Sequence, residues 1–190
     1  MSNQEATAPA ALCELSELAQ QLLEREPQAP RFFKALVDSE LYDDALQFAA
    51  ACLAAPDRVW WGLLCIWESL RPVAHPDEEL LLENIVAYLR APQEDLRWRI
   101  RAYSRTKGIS PPLKMLAQAL FHSGESITPA NGPQLKPKPQ VPVALISTAA
   151  KSAATLCRSR GGVDMRPEFL RLAMEVSRGQ HSLIAEPAAT

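Results

Sequence analysis

A chain of 190 residues, 47% of them hydrophobic, is long enough to bury one substantial core. Its 20 lysines and arginines against 22 aspartates and glutamates give a formal net charge of -2, so no global field draws it to DNA, RNA or anionic lipid. The apolar run that contains Trp60 to Trp67 falls far short of the roughly 20 residues of a membrane-spanning helix, which argues against that class.

In chain order, the start MSNQEATAPAALCELSEL lacks the charged and apolar regions of a secretory signal, and neither end carries a lipidation motif. The expected location is cytoplasmic, and residues 1–10 are expected to be disordered. Apolar residues then recur at helical spacing in Leu12, Leu15, Leu18 and Leu22. They do so again in Phe32, Phe33, Leu36 and Val37 after Pro30, and in Leu41, Ala45, Phe48, Ala49 and Cys52. Pro56 opens a helix through APDRVWWGLLCIWESL. There Trp60, Leu64 and Trp67 share one face, Val59, Leu63, Ile66 and Leu70 the next, and Trp61 and Cys65 a third. A helix apolar on so many sides is normally central, so Trp60 and Trp67 are expected in the core.

Pro76 with Asp77, Glu78 and Glu79 reads as an acidic first turn favoured by the helix dipole, continued by Leu81, Ile85 and Leu89. Pro92, Glu94 and Asp95 open another helix that runs to Arg105, Lys107 and Gly108. Ser110 is placed to cap a helix from Pro111-Pro112 through Leu113, Leu116, Leu120 and Phe121, with Gly124 as its stop. Five prolines in residues 124–142 forbid a helix there and predict a long extended connection, anchored by Ile127, Leu135 and Val141. Helices over 143–157 and 167–178 follow, and residues 181–190 are expected to form a disordered tail.

No stretch sustains period-two alternation, so the predicted class is all-α, with 8–9 helices in one domain over residues 11–180. The segments beginning at Ala51 and Ala87 share A-x-L-x-A-P, 36 positions apart. That register sets Trp60, Leu64 and Trp67 against Leu96, Ile100 and Tyr103, and it predicts stacked antiparallel hairpins in a solenoid-like bundle.

Signals for chemistry are sparse. His122, Ser123 and Ser126 cluster at one helix end, but no G-x-S-x-G turn accompanies them. The acidic residues Asp77, Glu78, Glu79, Glu83, Glu94 and Asp95 already have a cause in their helix starts, and no glycine-rich phosphate loop is present. Cys13, Cys52, Cys65 and Cys157 lack metal-ligand spacing among themselves or with His75 or His122, and buried free thiols are the expectation. Arg97, Arg101 and Arg105, with Trp98 close by, follow i, i+4, i+8 spacing and form a basic stripe opposite Leu96, Ile100 and Tyr103. These four residues are the candidate partner-binding site.

The chain resembles an uncharacterised bacterial family of helical domains over roughly residues 43–154. The resemblance rests on Asp44-Ala45-Leu46, on Trp60-Trp61 with Leu64-Cys65, and on Phe121-x-Ser123-Gly124-x-Ser126 leading into prolines. The last is similar to a W-S-G-G-S-L/I-x-P signature, with His122 in place of an aromatic and Glu125 in place of the second glycine. The resemblance brings no catalytic residues and implies accessory proteins near secretion-type gene clusters. The expected function is therefore a non-enzymatic protein-interaction or adaptor module with no cofactor, acting in a secretion or signalling assembly. Its expected partner is another protein, with an acidic surface the best fit. The alternatives are a small metal-binding protein or enzyme using His122, Ser123 and the acidic helix starts, and, less favoured, nucleic-acid binding through Arg97–Arg105.

Overall fold

The computed structural model describes residues 5–71, 74–129 and 131–181. Among them the chain forms ten helices and no strand: α1 (Thr7–Ala10), α2 (Glu17–Arg25), α3 (Ala29–Asp38), α4 (Tyr42–Cys52), α5 (Ala55–Leu70), α6 (Pro76–Arg90), α7 (Glu94–Tyr103), α8 (Pro111–His122), α9 (Gln140–Ser159) and α10 (Arg166–Ser177). The all-α class follows, and no helix of the described residues is long and apolar enough to cross a membrane.

Proline sets many of the starts. Pro30, Pro56, Pro76, the Pro111-Pro112 pair and Pro167 occupy first-turn positions, where a missing N–H costs nothing. At α6 the His75 ring accepts from the Asp77 amide, and Glu78 returns a carboxylate to the His75 amide. Ser110 precedes α8 as expected, yet its hydroxyl makes no cap. Its amide instead donates to Glu78 at 2.9 Å, which ties the start of α8 to the start of α6.

α9 is the axis of the core. It packs against α4, α5, α8 and α10, and its Ala149, Ala150, Ala153 and Ala154 are buried. Small side chains let neighbouring helices approach closely. Gly62 does the same from α5, where an added Cβ would lie 2.9 Å from Leu116 and 3.4 Å from Ile146. Consecutive helices pair along much of the chain, but α9 and α10 both reach back to α4 and α5. In a solenoid each hairpin touches only its neighbours. Here the array closes on itself as a bundle.

The structure differs from the sequence reading at the N-terminus. Residues 7–10 form α1, Ala6 and Ala10 are buried, and the Ala6 amide donates to the Pro27 carbonyl at 2.7 Å. Alanines carry too little apolar area to announce burial in a sequence. Residues 1–4 and 182–190 lie outside the described residues, and with them nearly all of the expected tail.

Asp44 explains one part of the resemblance. This buried carboxylate accepts from the Ser16 amide and the Ser16 hydroxyl, both at 2.8 Å, and so holds the start of α2 on α4. Asp44→Ala is expected to lower stability by about 1–3 kcal/mol, because the Ser16 groups lose their acceptor in a partly buried place. Asp44→Asn should recover part of that loss. Urea midpoints of the two variants decide it, and equal midpoints would show that water replaces the carboxylate.

Candidate interaction site

The basic stripe does not survive folding as a surface. Arg97 is fully buried. Its Nε donates to Glu94 at 2.8 Å, one Nη donates to the Phe121 carbonyl, and the other is shared between Glu94 and the Ser126 carbonyl, the latter at 2.6 Å. The guanidinium lies 4.5 Å from the Phe121 ring centre and directly against Gly124, where an added Cβ would fall 2.6 Å from it. The segment FHSGES is thus a receptor for Arg97: two carbonyls, one aromatic face and one absent side chain. This gives the signature residues a packing role.

Arg101 is half-buried, stacked 4.1 Å from the Phe121 ring centre and 5.4 Å from that of Trp98. Trp98 itself meets Phe121 edge-on at 4.8 Å and donates its indole N–H to Glu94 at 2.7 Å. The Arg97 guanidinium, with the Trp98 indole, holds the Glu94 carboxyl below the usual carboxylate range. Arg105 is exposed, but α7 has ended at Tyr103. The Ser104 and Thr106 hydroxyls take the Arg101 and Tyr103 carbonyls, and such local bonds compete with helix continuation. Of the four residues proposed from sequence, Arg97, Trp98 and Arg101 form a structural cluster and only Arg105 stands free of it.

Several residues of the enzyme alternative are bonded within the fold. Ser123 donates to the Ala119 carbonyl at 2.8 Å, and Ser126 shares its hydroxyl with Thr128. Burial, reinforced by the Arg101 and Arg97 charges, lowers the His122 pKa and favours its neutral ring. Asp77 accepts from the Tyr103 hydroxyl at 2.7 Å, and Glu78 serves the two amides described above. Among the described residues no three His, Cys, Asp or Glu side chains gather where a metal ion would sit. The four cysteines are free, and burial pushes the Cys13 and Cys52 thiols up to about 12, far from the thiolate form a nucleophile needs.

The surface that remains is the one the tryptophan stretch builds. Trp61 is its core residue: fully buried, with its indole N–H donating to the Phe169 carbonyl at 2.8 Å. Trp60 and Trp67, expected in the core, are not there. Trp60 is half-buried and Trp67 is 38% exposed. The register with the second segment holds one position further on, since Trp61 aligns with Arg97, and both are fully buried and bonded to a backbone carbonyl.

Trp60, Leu63, Leu64 and Trp67 of α5 face Leu82, Val86 and Ala87 of α6 across an open cleft of about 720 Å³. Glu79 and Glu83 lie one helical turn apart along its α6 side, Arg90 completes the lining, and Arg71 stacks 5.4 Å over Trp67. Neither glutamate forms an ion pair among the described residues. An apolar floor with two indoles and a charged rim is the composition of a protein-docking surface. The sequence carried the signal, three tryptophans in eight residues, but periodicity could not say which indole turned inward.

Fold and surface together define an all-helical domain with an open apolar groove on one side. A family described as "Family of unknown function (DUF6931)" matches residues 32–177, and the chain belongs to it. No curated protein and no solved structure matches the chain.

Proposed function

We propose that this domain is a non-enzymatic protein-interaction module, an adaptor, and that it docks its partner in the α5–α6 groove. The observation that carries this reading is the placement of Trp60, Leu64 and Trp67, partly open to solvent on a helix whose other faces are buried. The partner is a protein segment with an apolar face flanked by lysine or arginine, because Glu79 and Glu83 line the groove and form no ion pair among the described residues. This replaces the acidic partner inferred from the arginine stripe, since Arg97 and Arg101 are held by their own neighbours. The family resemblance supports placing the adaptor in a bacterial secretion or signalling assembly.

A designed amphipathic helical peptide of leucine and lysine tests the groove, with binding followed by fluorescence anisotropy. Leu64→Asp, and separately Glu79→Lys with Glu83→Lys, are expected to weaken binding about tenfold or more, a loss typical of central interface residues. The glutamate pair is exposed, so its replacement leaves folding intact as judged by circular dichroism. Arg105→Glu should change nothing. Equal binding by all variants sinks the groove, and loss confined to Arg105→Glu returns the contact to the end of α7.

A further inference from the structure

We infer that the hairpin of α7 and α8 is a second docking surface, and that its occupant is an acidic protein segment whose carboxylates meet Arg101, Arg105 and Lys107. This goes beyond the α5–α6 groove and does not rest on it, since the two surfaces share no residue.

The sequence supplies the first observation. Residues 97–122 hold Arg97, Arg99, Arg101, Arg105, Lys107 and Lys114 and not one aspartate or glutamate, in a chain whose acids outnumber its lysines and arginines 22 to 20. Folding takes Arg97 out of this set by burying it. The others form no ion pair among the described residues. Acids that neighbouring elements bring to the hairpin are already engaged: Glu94 by Arg97 and Trp98, Asp77 by the Tyr103 hydroxyl, and Glu78 by the Ser110 and His75 amides. Asp95 and Glu125 lie at the open end of the hairpin, away from Arg105 and Lys107 at its turn. Positive charge is therefore left uncompensated at that turn, where Arg105 and Lys107 are exposed.

Arg101 gives the surface its specificity. Its guanidinium lies 4.1 Å from the Phe121 ring centre and 5.4 Å from that of Trp98, so stacking fixes its plane. Stacking occupies the face of the group and leaves its N–H edge. No acceptor among the described residues takes an N–H from that edge, and Nε is buried without a partner. Arg97, one turn earlier, shows what such a group takes, because it stacks on the same Phe121 ring and has carboxylate and carbonyl oxygens at its edge. Arg101 has the ring without the oxygens. Burial and the charges of Arg105 and Arg97 lower its pKa, and a carboxylate at the edge offsets both the lost hydration and the repulsion.

The geometry selects a short acidic segment. Arg105 sits about one turn beyond Arg101, since its amide donates to the Ala102 carbonyl and keeps the chain turning after α7. Two carboxylates at i, i+4 on a helix match that spacing. A nucleic acid fits less well on two counts. The chain has a net charge of -2 with six cations in the hairpin, which leaves -8 on the remainder and repels a long polyanion that overruns the surface. Trp98, the hairpin's only tryptophan, is edge-on to Phe121 and bonded to Glu94, so it is not free to stack a base. A lipid surface lacks a foothold, because none of the large apolar side chains exposed among the described residues belongs to the hairpin.

The test uses the full chain and a fluorescein-labelled helical peptide of alanine and glutamate, with glutamates at i, i+4, followed by anisotropy. Binding at low salt is expected, falling about tenfold or more as salt rises and screens the contact. Arg105→Glu with Lys107→Glu should weaken it about tenfold or more with an unchanged circular dichroism spectrum, because both residues are exposed. Arg101→Gln should weaken it as well, and the exposed pair decides the matter if that variant fails to fold. Arg31→Glu with Arg178→Glu makes the same change of net charge at exposed positions elsewhere, and is expected to leave binding within about twofold. No binding at low salt, or equal weakening by the remote pair, overturns the surface. Tighter capture of a thymidine oligonucleotide or of phosphatidylserine vesicles, lost in the hairpin variant, overturns the acidic protein segment in favour of that ligand. Self-association of the chain that the hairpin variant abolishes overturns it in favour of a second copy. Binding of the leucine–lysine peptide is measured on the same variants and should stay unchanged, so failure of the hairpin and failure of the groove are read separately.

Discussion

Replacing Trp61 by alanine is expected to remove about 3–5 kcal/mol of folding stability, the range for deleting a fully buried large aromatic. Two losses combine there. The cavity lies at the point where α5 meets α10, and the Phe169 carbonyl loses its donor in the interior. Trp61→Phe should recover the packing and leave the carbonyl unpaired, which separates the two contributions. Trp60→Ala and Trp67→Ala remove side chains that still touch water, and each is expected to cost less than about 2 kcal/mol. Urea unfolding of the three alanine variants checks the order, and iodide should quench Trp67 strongly and Trp61 hardly at all. Equal costs at the three positions would contradict the arrangement of α5 described above.

Arg97→Ala is expected to cost about 2–4 kcal/mol, chiefly because the Phe121 and Ser126 carbonyls lose their donor and the guanidinium leaves a void. The pairing with Glu94 adds little, since that carboxylate is 59% exposed and its charge is screened. Arg97→Met keeps most of the volume and none of the donors, so it reports the carbonyls alone. Gly124→Ala tests the same cluster from the other side. An added methyl would lie 2.6 Å from a guanidinium pinned by its hydrogen bonds, and the expected cost is about 1–3 kcal/mol. Once Arg97 is alanine the methyl has room, and Gly124→Ala becomes nearly neutral. That coupling is the diagnostic result of a double-mutant cycle, and strict additivity would mean that Gly124 is there for another reason.

The consequence for function is that the residue types that look most available for binding in the sequence are among the most occupied. Arginine at i, i+4 spacing reads as a solvated face because a charge is costly to bury. Arg97 is buried all the same, since the end of α8 and the turn after it supply carbonyls and an aromatic face some 24 to 29 positions away. Nothing local to α7 shows this. The tryptophan stretch is the converse case, because two indoles that read as core remain at the surface.

What the sequence alone determined is the part of the protein governed by short-range chemistry. Proline in first turns, helical apolar spacing and the absence of period-two alternation settle the all-α class and the positions of nine of the ten described helices, because these forces act within a few residues. Local side-chain competition already shifts an end, as Ser104 and Thr106 do where α7 stops short of Arg105. Everything about faces was decided by tertiary packing. Trp60, Trp61 and Trp67 are equivalent to a hydrophobicity pattern, and which one is buried depends on α9 and α10 arriving against α5 from about a hundred residues away. The groove exists for the same reason: α6 covers only part of the face that α5 turns from α9 and α10, and the uncovered remainder is the open cleft.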